Sequence, residues 1–369
     1  MPRYAPAVTA LADRLAARTL ELIDIPSVSG DEKRIREHLL DILPPSLACE
    51  YDGDEAFLFV PRRRSASPLV ILAGHYDTVP AQQNVPGRLA DGRVHGLGSS
   101  DMKGGLAVAL ELVRALEGRE DTAYDIALLL FGREELSAEH NPLPALFGGS
   151  RAVHEASLAI LLEPTDGTVQ VGCLGNVVAR LTFRGRSGHS ARPWTAENAI
   201  EKAVAGLAPL VSLPVRDAVV GGLTFVESLS VTRIQAGVAD NVIPGEATAT
   251  LSFRYAPDRT PAGAEEALQA LVPAGAALEV LGNAPAAGVA TGSEHVARLR
   301  TAGALAVEPK LAWTNVADFT AHGLDAVNFG PGHTAFAHRQ DERVEVSALV
   351  HAYETLERFL TGAIGEDAA

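Results

Sequence analysis

Seven side chains in this sequence carry metal-ligating or proton-transferring chemistry: His75, Asp101, Glu134, Glu135, Glu163, His333 and His338. Imidazole and carboxylate without thiolate suit Zn2+, Co2+ or Mn2+, whereas Mg2+ and Ca2+ want oxygen alone. Two histidines and three carboxylates suffice for two metals that share one carboxylate, roughly 3.5–4 Å apart with an activated water between them. Adjacent Glu134 and Glu135 can divide the work at a strand end, one facing a metal and the other facing the water as general base. Asp77 follows His75 by two residues, on the same side of an extended segment, where its carboxylate fixes the imidazole tautomer.

Taken singly, each of these residues has a plainer reading: a histidine that caps a strand, or a Glu-Glu pair in a solvated loop. Their common position decides otherwise. The apolar runs 70–73 (VILA), 126–131 (IALLLF) and 159–162 (AILL) are short enough for buried strands. They break off at His75, at Glu134-Glu135 and at Glu163, and the ends of such strands are where open α/β sheets collect function. Asp101 lies in the loop between the first two runs. His140, His154, His295, His322 and His351 lack any such pattern and read as surface or satisfied core histidines.

The elements that must position these groups follow from periodicity. Helices are expected at 8–24, at 106–116 and at 346–360 from their amphipathic spacing. Ser29 with Glu32 three residues later predicts a capping box that opens a helix running to 43. From 177 the texture changes to alternating strands: 177–185, a helix 197–210, strands 223–235 and 247–255, a helix after Pro261 and a strand 276–281. That order, βαββαβ, is a two-layer ferredoxin-like unit. The expected fold class is therefore α/β, a mixed sheet flanked by helices in a discontinuous catalytic domain (1–176 and 286–369) with the ferredoxin-like unit (177–285) inserted as a dimerisation and lid domain.

At 369 residues the chain exceeds the size at which one core stops growing, which agrees with two domains. A net charge of −15 argues against nucleic acid and against an anionic membrane surface as partners. Two distant cysteines give no disulfide framework, as expected of a cytoplasmic protein. The opening stretch lacks an export signal, and no run approaches the ~20 apolar residues of a membrane span.

GHYDTVP, SSDMKGG, REE, LLEPT, SGHSARP and HRQDE, in this order and at these separations, resemble the co-catalytic di-zinc aminoacylase and peptidase family. That family contains succinyl-diaminopimelate desuccinylase, acetylornithine deacetylase and carboxypeptidases of the glutamate type, and the likeness spans essentially the whole chain. REELSAEHNPL and AWTNVADFTAHGLDAVNFGPG look most like desuccinylases of the actinobacterial type. The resemblance implies two zinc ions per chain, with Co2+ or Mn2+ as substitutes. His75 and Glu163 would hold one ion, Glu135 and His338 the other, and Asp101 would bridge them. It further implies Glu134 as general base, Asp77 behind the histidine ligand, and a cis bond between Asp101 and Met102. His189 would reach the oxyanion from the partner subunit of a homodimer formed through the insert. Asn241 and Arg254, with Arg192 and Arg180 also available, would meet substrate carboxylates.

The implied reaction is hydrolysis of a small N-acyl amino acid, N-succinyl-L,L-diaminopimelate to succinate and L,L-diaminopimelate. Two positions depart from the desuccinylase pattern, because Asp318 and Leu97 stand where arginines are usual. An acetylornithine deacetylase or another N-acyl or dipeptide hydrolase is the alternative. A non-catalytic binding relative would have lost a metal ligand or the base, and neither is lost.

Overall fold

The computed structural model describes residues 5–136 and 138–363. It divides into two compact units: one contains the chain up to Val171, Ala290–Glu308 and the chain from Asp318 onward, and the other contains Gly172–Val289 and Pro309–Ala317. The second unit is wider than the expected 177–285 and takes in the short 309–317 segment from the tail.

The first unit is built on an eight-stranded mixed sheet. Its strands lie in the order Leu47–Gly53, Ala56–Pro61, Asp125–Phe131, Leu69–His75, Ala156–Leu161, Ala326–Asn328, Val169–Val171 and Val307–Pro309. The middle of the sheet is parallel, from Asp125–Phe131 through Leu69–His75 and Ala156–Leu161 to Ala326–Asn328. Every residue of Leu69–His75 and Asp125–Phe131 is buried, as strands covered on both faces must be, which is why they read as unbroken apolar runs.

Helices Ala5–Ile23, Lys103–Ala115, Glu294–Gly303 and Val346–Thr361 pack on one another in this unit. The Lys103–Ala115 helix lies against the sheet, and Gly105 allows the approach, because a Cβ there would meet the Leu162 carbonyl at 2.2 Å; Gly104 makes room instead for the loop before the helix, where a Cβ would meet the Ser99 carbonyl at 2.5 Å. The expected capping box does not form. The helix begins at Lys33, after Glu32, and the Glu32 carboxylate accepts the Gly30 amide. Ser29 is used elsewhere, because the 28–29 backbone pairs with Thr78 and not with a helix end.

The second unit has the strand–helix order Gly175–Arg184, Ala199–Val211, Leu223–Ala236, Glu246–Tyr255, Pro261–Gln269 and Ala276–Ala284. Its strands are antiparallel, with Gly175–Arg184 between Glu246–Tyr255 and Ala276–Ala284, and Leu223–Ala236 beyond. This is the expected βαββαβ arrangement with an added edge strand, Arg216–Val220, which sequence periodicity missed because four of its five residues are not buried. The helices cover one face over a core of Leu181, Phe183, Leu207, Leu251 and Leu268.

Candidate metal centre

Parallel register decides where the site forms. His75 lies opposite Phe131 and Ala73 opposite Leu161, so three chains leave the sheet level with one another and their next polar residues meet at its carboxyl edge. His75 is fully buried, with Nε2 3.1 Å from Asp101 Oδ1 and 3.7 Å from Glu163 Oε1. His338 Nε2 lies 2.7 Å from Glu135 Oε1 and 3.4 Å from Asp101 Oδ2. Asp101 therefore presents one oxygen to each imidazole. The bond between Asp101 and Met102 is cis.

Beyond Phe131 the chain bends sharply at Arg133, whose φ of 60° lies in the left-handed region. The bend brings two amides onto Asp77, whose Oδ1 accepts from Glu134 at 3.1 Å and Oδ2 from Glu135 at 3.2 Å. The same carboxylate accepts the Ser29 hydroxyl at 2.6 Å and stands 3.3 Å from His75 Nδ1. One buried acid thus orients the His75 ring and the Glu134-Glu135 turn together. Burial alone would raise the Asp77 pKa, but the His75 ring and the other donors hold it below the usual carboxylate range.

Among the described residues, ligand atoms gather within 4.8 Å of one another in three groups: His75 with Asp101 and Glu163, Asp101 with Glu135 and His338, and His75 with Glu134 and Glu135. No Lys or Arg pairs with Asp101, Glu134 or Glu135 among those residues. Burial, with the Glu163, Asp101 and Glu135 carboxylates nearby, pushes the Glu134 carboxyl well above its ordinary value. Asp101 and Glu135 draw the His338 imidazole up to about 10. Carboxylates crowded in this way, balanced only by imidazoles, make a donor set that fits divalent cations of the zinc type.

His333 does not join them. Its Nδ1 lies 2.9 Å from Asp166 Oδ1, so of the two tail histidines only His338 belongs to a ligand group. In the second unit, His189 is exposed on a two-residue strand, Gly188–His189, paired with Val242–Ile243, and the Ser190 amide donates to the Asn241 carbonyl. That ribbon brings His189 and Asn241 together. Arg254 is half-buried on Glu246–Tyr255, opposite Ser228, without a carboxylate partner among the described residues, whereas Arg180 pairs with Glu279 at 3.0 Å. Asp318 accepts from Asn141 at 3.0 Å, and Leu97 is buried.

Two residues of the site escaped sequence reasoning. Ser29 read as a helix cap, and only the long-range pairing of its segment with Thr78 shows where its hydroxyl goes. Glu342 lies inside HRQDE, yet its partners are backbone amides more than 200 residues away, which no local pattern signals.

Residues 71–362 match the model of peptidase family M20/M25/M40. The chain belongs to this family. It is accordingly a metal-dependent amidohydrolase. It is 37% identical over 351 residues, 93% of its length and 97% of the relative's, to a Mycobacterium tuberculosis protein provisionally named as a succinyl-diaminopimelate desuccinylase. It is 33% identical to the succinyl-diaminopimelate desuccinylase of Corynebacterium glutamicum, across 96% of this chain and 98% of that one. Solved structures share the fold at low identity. A Staphylococcus aureus tripeptidase superposes with a TM-score of 0.76 at 18% identity, covering 96% of this chain and 98% of that one. A Sulfolobus solfataricus metallo-carboxypeptidase of the M20 family gives 0.74 at 18%, covering 95% and 99%.

Proposed function

We propose that this M20 chain is a di-zinc desuccinylase that hydrolyses N-succinyl-L,L-diaminopimelate. The observation that carries the reading is the donor set at the carboxyl edge of the sheet, in a chain 33–37% identical over most of its length to proteins with that name. His75 and Glu163 would hold one ion, Glu135 and His338 the other, and Asp101 would serve both; Co2+ and Mn2+ suit the same donors. When bound, the ions supply Lewis acidity that polarises the acyl carbonyl and acidifies water.

The chain's own groups do the rest. Glu134, left out of the two ligand sets assigned above, takes the proton of the attacking water and returns it to the leaving amine. Asp77 keeps the His75 ring in the tautomer that directs Nε2 toward the cluster. His189 donates to the oxyanion from the partner subunit. Arg254, a half-buried guanidinium without an acid beside it, and Asn241 receive substrate carboxylates.

The second unit serves as lid and dimer interface. Its Ala199–Val211 helix exposes Ile200, Val204 and Val211 on one flank, an apolar stripe suited to a second copy. Val204→Glu should shift the particle mass measured by light scattering from dimer to monomer. Both cysteines are free, as befits the cytoplasm, and no described helix is long and apolar enough to cross a membrane.

Release of amine from N-succinyl-L,L-diaminopimelate and from N-acetyl-L-ornithine by the zinc-loaded protein, run side by side, tests the substrate. Preference for the first supports the reading. Preference for the second gives the site to deacetylation, the reading that Asp318 favours, because an acid there repels a substrate carboxylate and suits an amine.

A further inference from the structure

Glu342 is 1% exposed and has no basic partner within ion-pair distance among the described residues. What it has is backbone. Its Oε2 accepts the Gly98 amide at 3.0 Å, and its Oε1 accepts the Ser100 and Asp101 amides, each at 3.0 Å. Three N–H groups converging from one short loop form an anion-binding nest, and here the anion is supplied by the protein itself. The loop they belong to carries Asp101, and Glu342 stands four residues after His338 on the segment that delivers that imidazole.

Further bonds tie the 338–342 segment to the chain leading into that loop. The Glu342 carbonyl accepts the Gly96 amide at 3.1 Å, Asn84 Nδ2 donates to the Arg339 carbonyl at 3.2 Å, and Gln82 Nε2 donates to the His338 carbonyl at 3.0 Å. These other bonds fix the backbones side by side. The Glu342 carboxylate alone among them takes the amide of Asp101 itself and so sets the plane from which that side chain departs.

We infer that Glu342 is the positioning residue of the metal centre: by gathering the amides of Gly98, Ser100 and Asp101 it aims the Asp101 carboxylate at His75 and His338 together. The inference rests on the assignment of Asp101 as the shared ligand. Glutamine at this position would offer one oxygen where two are used and would turn an N–H donor toward another donor, so the nest would lose an acceptor as well as its charge. Aspartate keeps the charge but falls a methylene short.

The test is titration of the metal-free full chain with Co2+, followed by calorimetry and by the visible absorption of the bound ion, with melting of the metal-free protein as the fold control. Glu342→Gln should bind Co2+ at least tenfold more weakly than the parent and with a changed visible spectrum, while its metal-free form melts within a few degrees of the parent. Parental affinity together with a parental spectrum would overturn the inference, whatever the melting temperature. Should Glu342→Gln not fold, Glu342→Asp is read in the same way, with weakened binding supporting the role and parental binding overturning it. A parent chain that takes up no Co2+ would overturn the metal-centre assignment as well, which separates the two failures.

Discussion

Glu134 and Glu135 are neighbours with different surroundings, and the difference assigns their work. Glu135 Oε1 touches His338 Nε2 at 2.7 Å, whereas Glu134 is drawn into the cluster only as an alternative partner of His75. Glu134→Gln keeps the shape and the backbone donation to Asp77 and removes the group that accepts a proton. We expect the variant to bind metal like the parent and to lose roughly a thousandfold or more in kcat, since general-base catalysis by a positioned carboxylate contributes about 10²–10⁴-fold. Single-turnover rates on the metal-loaded variant measure this, and retained turnover would remove Glu134 from the mechanism. Asp77 is the more demanding residue, because its two oxygens hold the Ser29 hydroxyl, both glutamate amides and the His75 ring at once.

The strands make the site legible in the sequence. A fully buried parallel strand must be apolar until it leaves the sheet, so the sudden polar residues after 73, 131 and 162 announced the edge on which function collects. Hidden in sequence was whatever depended on distant partners: Ser29, whose capping-box spacing mimics a helix start, Glu342, and the edge strand Arg216–Val220 with its mostly exposed pattern. The same logic gives a prediction for one element. The Lys103–Ala115 helix carries Asp101 at its head and touches the chain beside Glu163 through Gly105. Gly105→Ala would gain about 1 kcal/mol in helix propensity, but its Cβ would fall 2.2 Å from the carbonyl of Leu162, a residue just past the strand end whose amide is tied to the Ala73 carbonyl of the neighbouring strand. The helix must move outward, which costs roughly 1–3 kcal/mol net of relaxation and draws Asp101 away from Glu163. Thermal melting should drop by several degrees and metal affinity should fall with it; an unchanged melt would mean the interface yields more easily than close packing allows.

For the molecule as a whole, the cluster joins stability, metal and pH. Without metal, Asp101 and Glu135 keep the proton on His338, whose folded pKa near 10 stands above the unfolded value of roughly 6.5. A raised folded pKa means that this proton-linked stability is fully present below pH ~6.5 and is lost as pH rises through about 10. A metal ion competes for the same Nε2, so uptake at pH 8 must expel the His338 proton, and the apparent affinity must rise with pH toward 10. Calorimetric titration in buffers of different ionisation enthalpy at pH 8 should therefore show at least one proton released per chain. The loaded protein should also melt higher than the chelated one, by the mass-action stabilisation of about 2.7 kcal/mol expected when free metal stands a hundredfold above its dissociation constant. Proton release near zero would mean that His338 is already neutral in the metal-free chain. In that case the pairing at 2.7 Å would be an ordinary hydrogen bond from a neutral His338 imidazole N–H to the Glu135 carboxylate, and metal uptake would carry no proton linkage at this histidine.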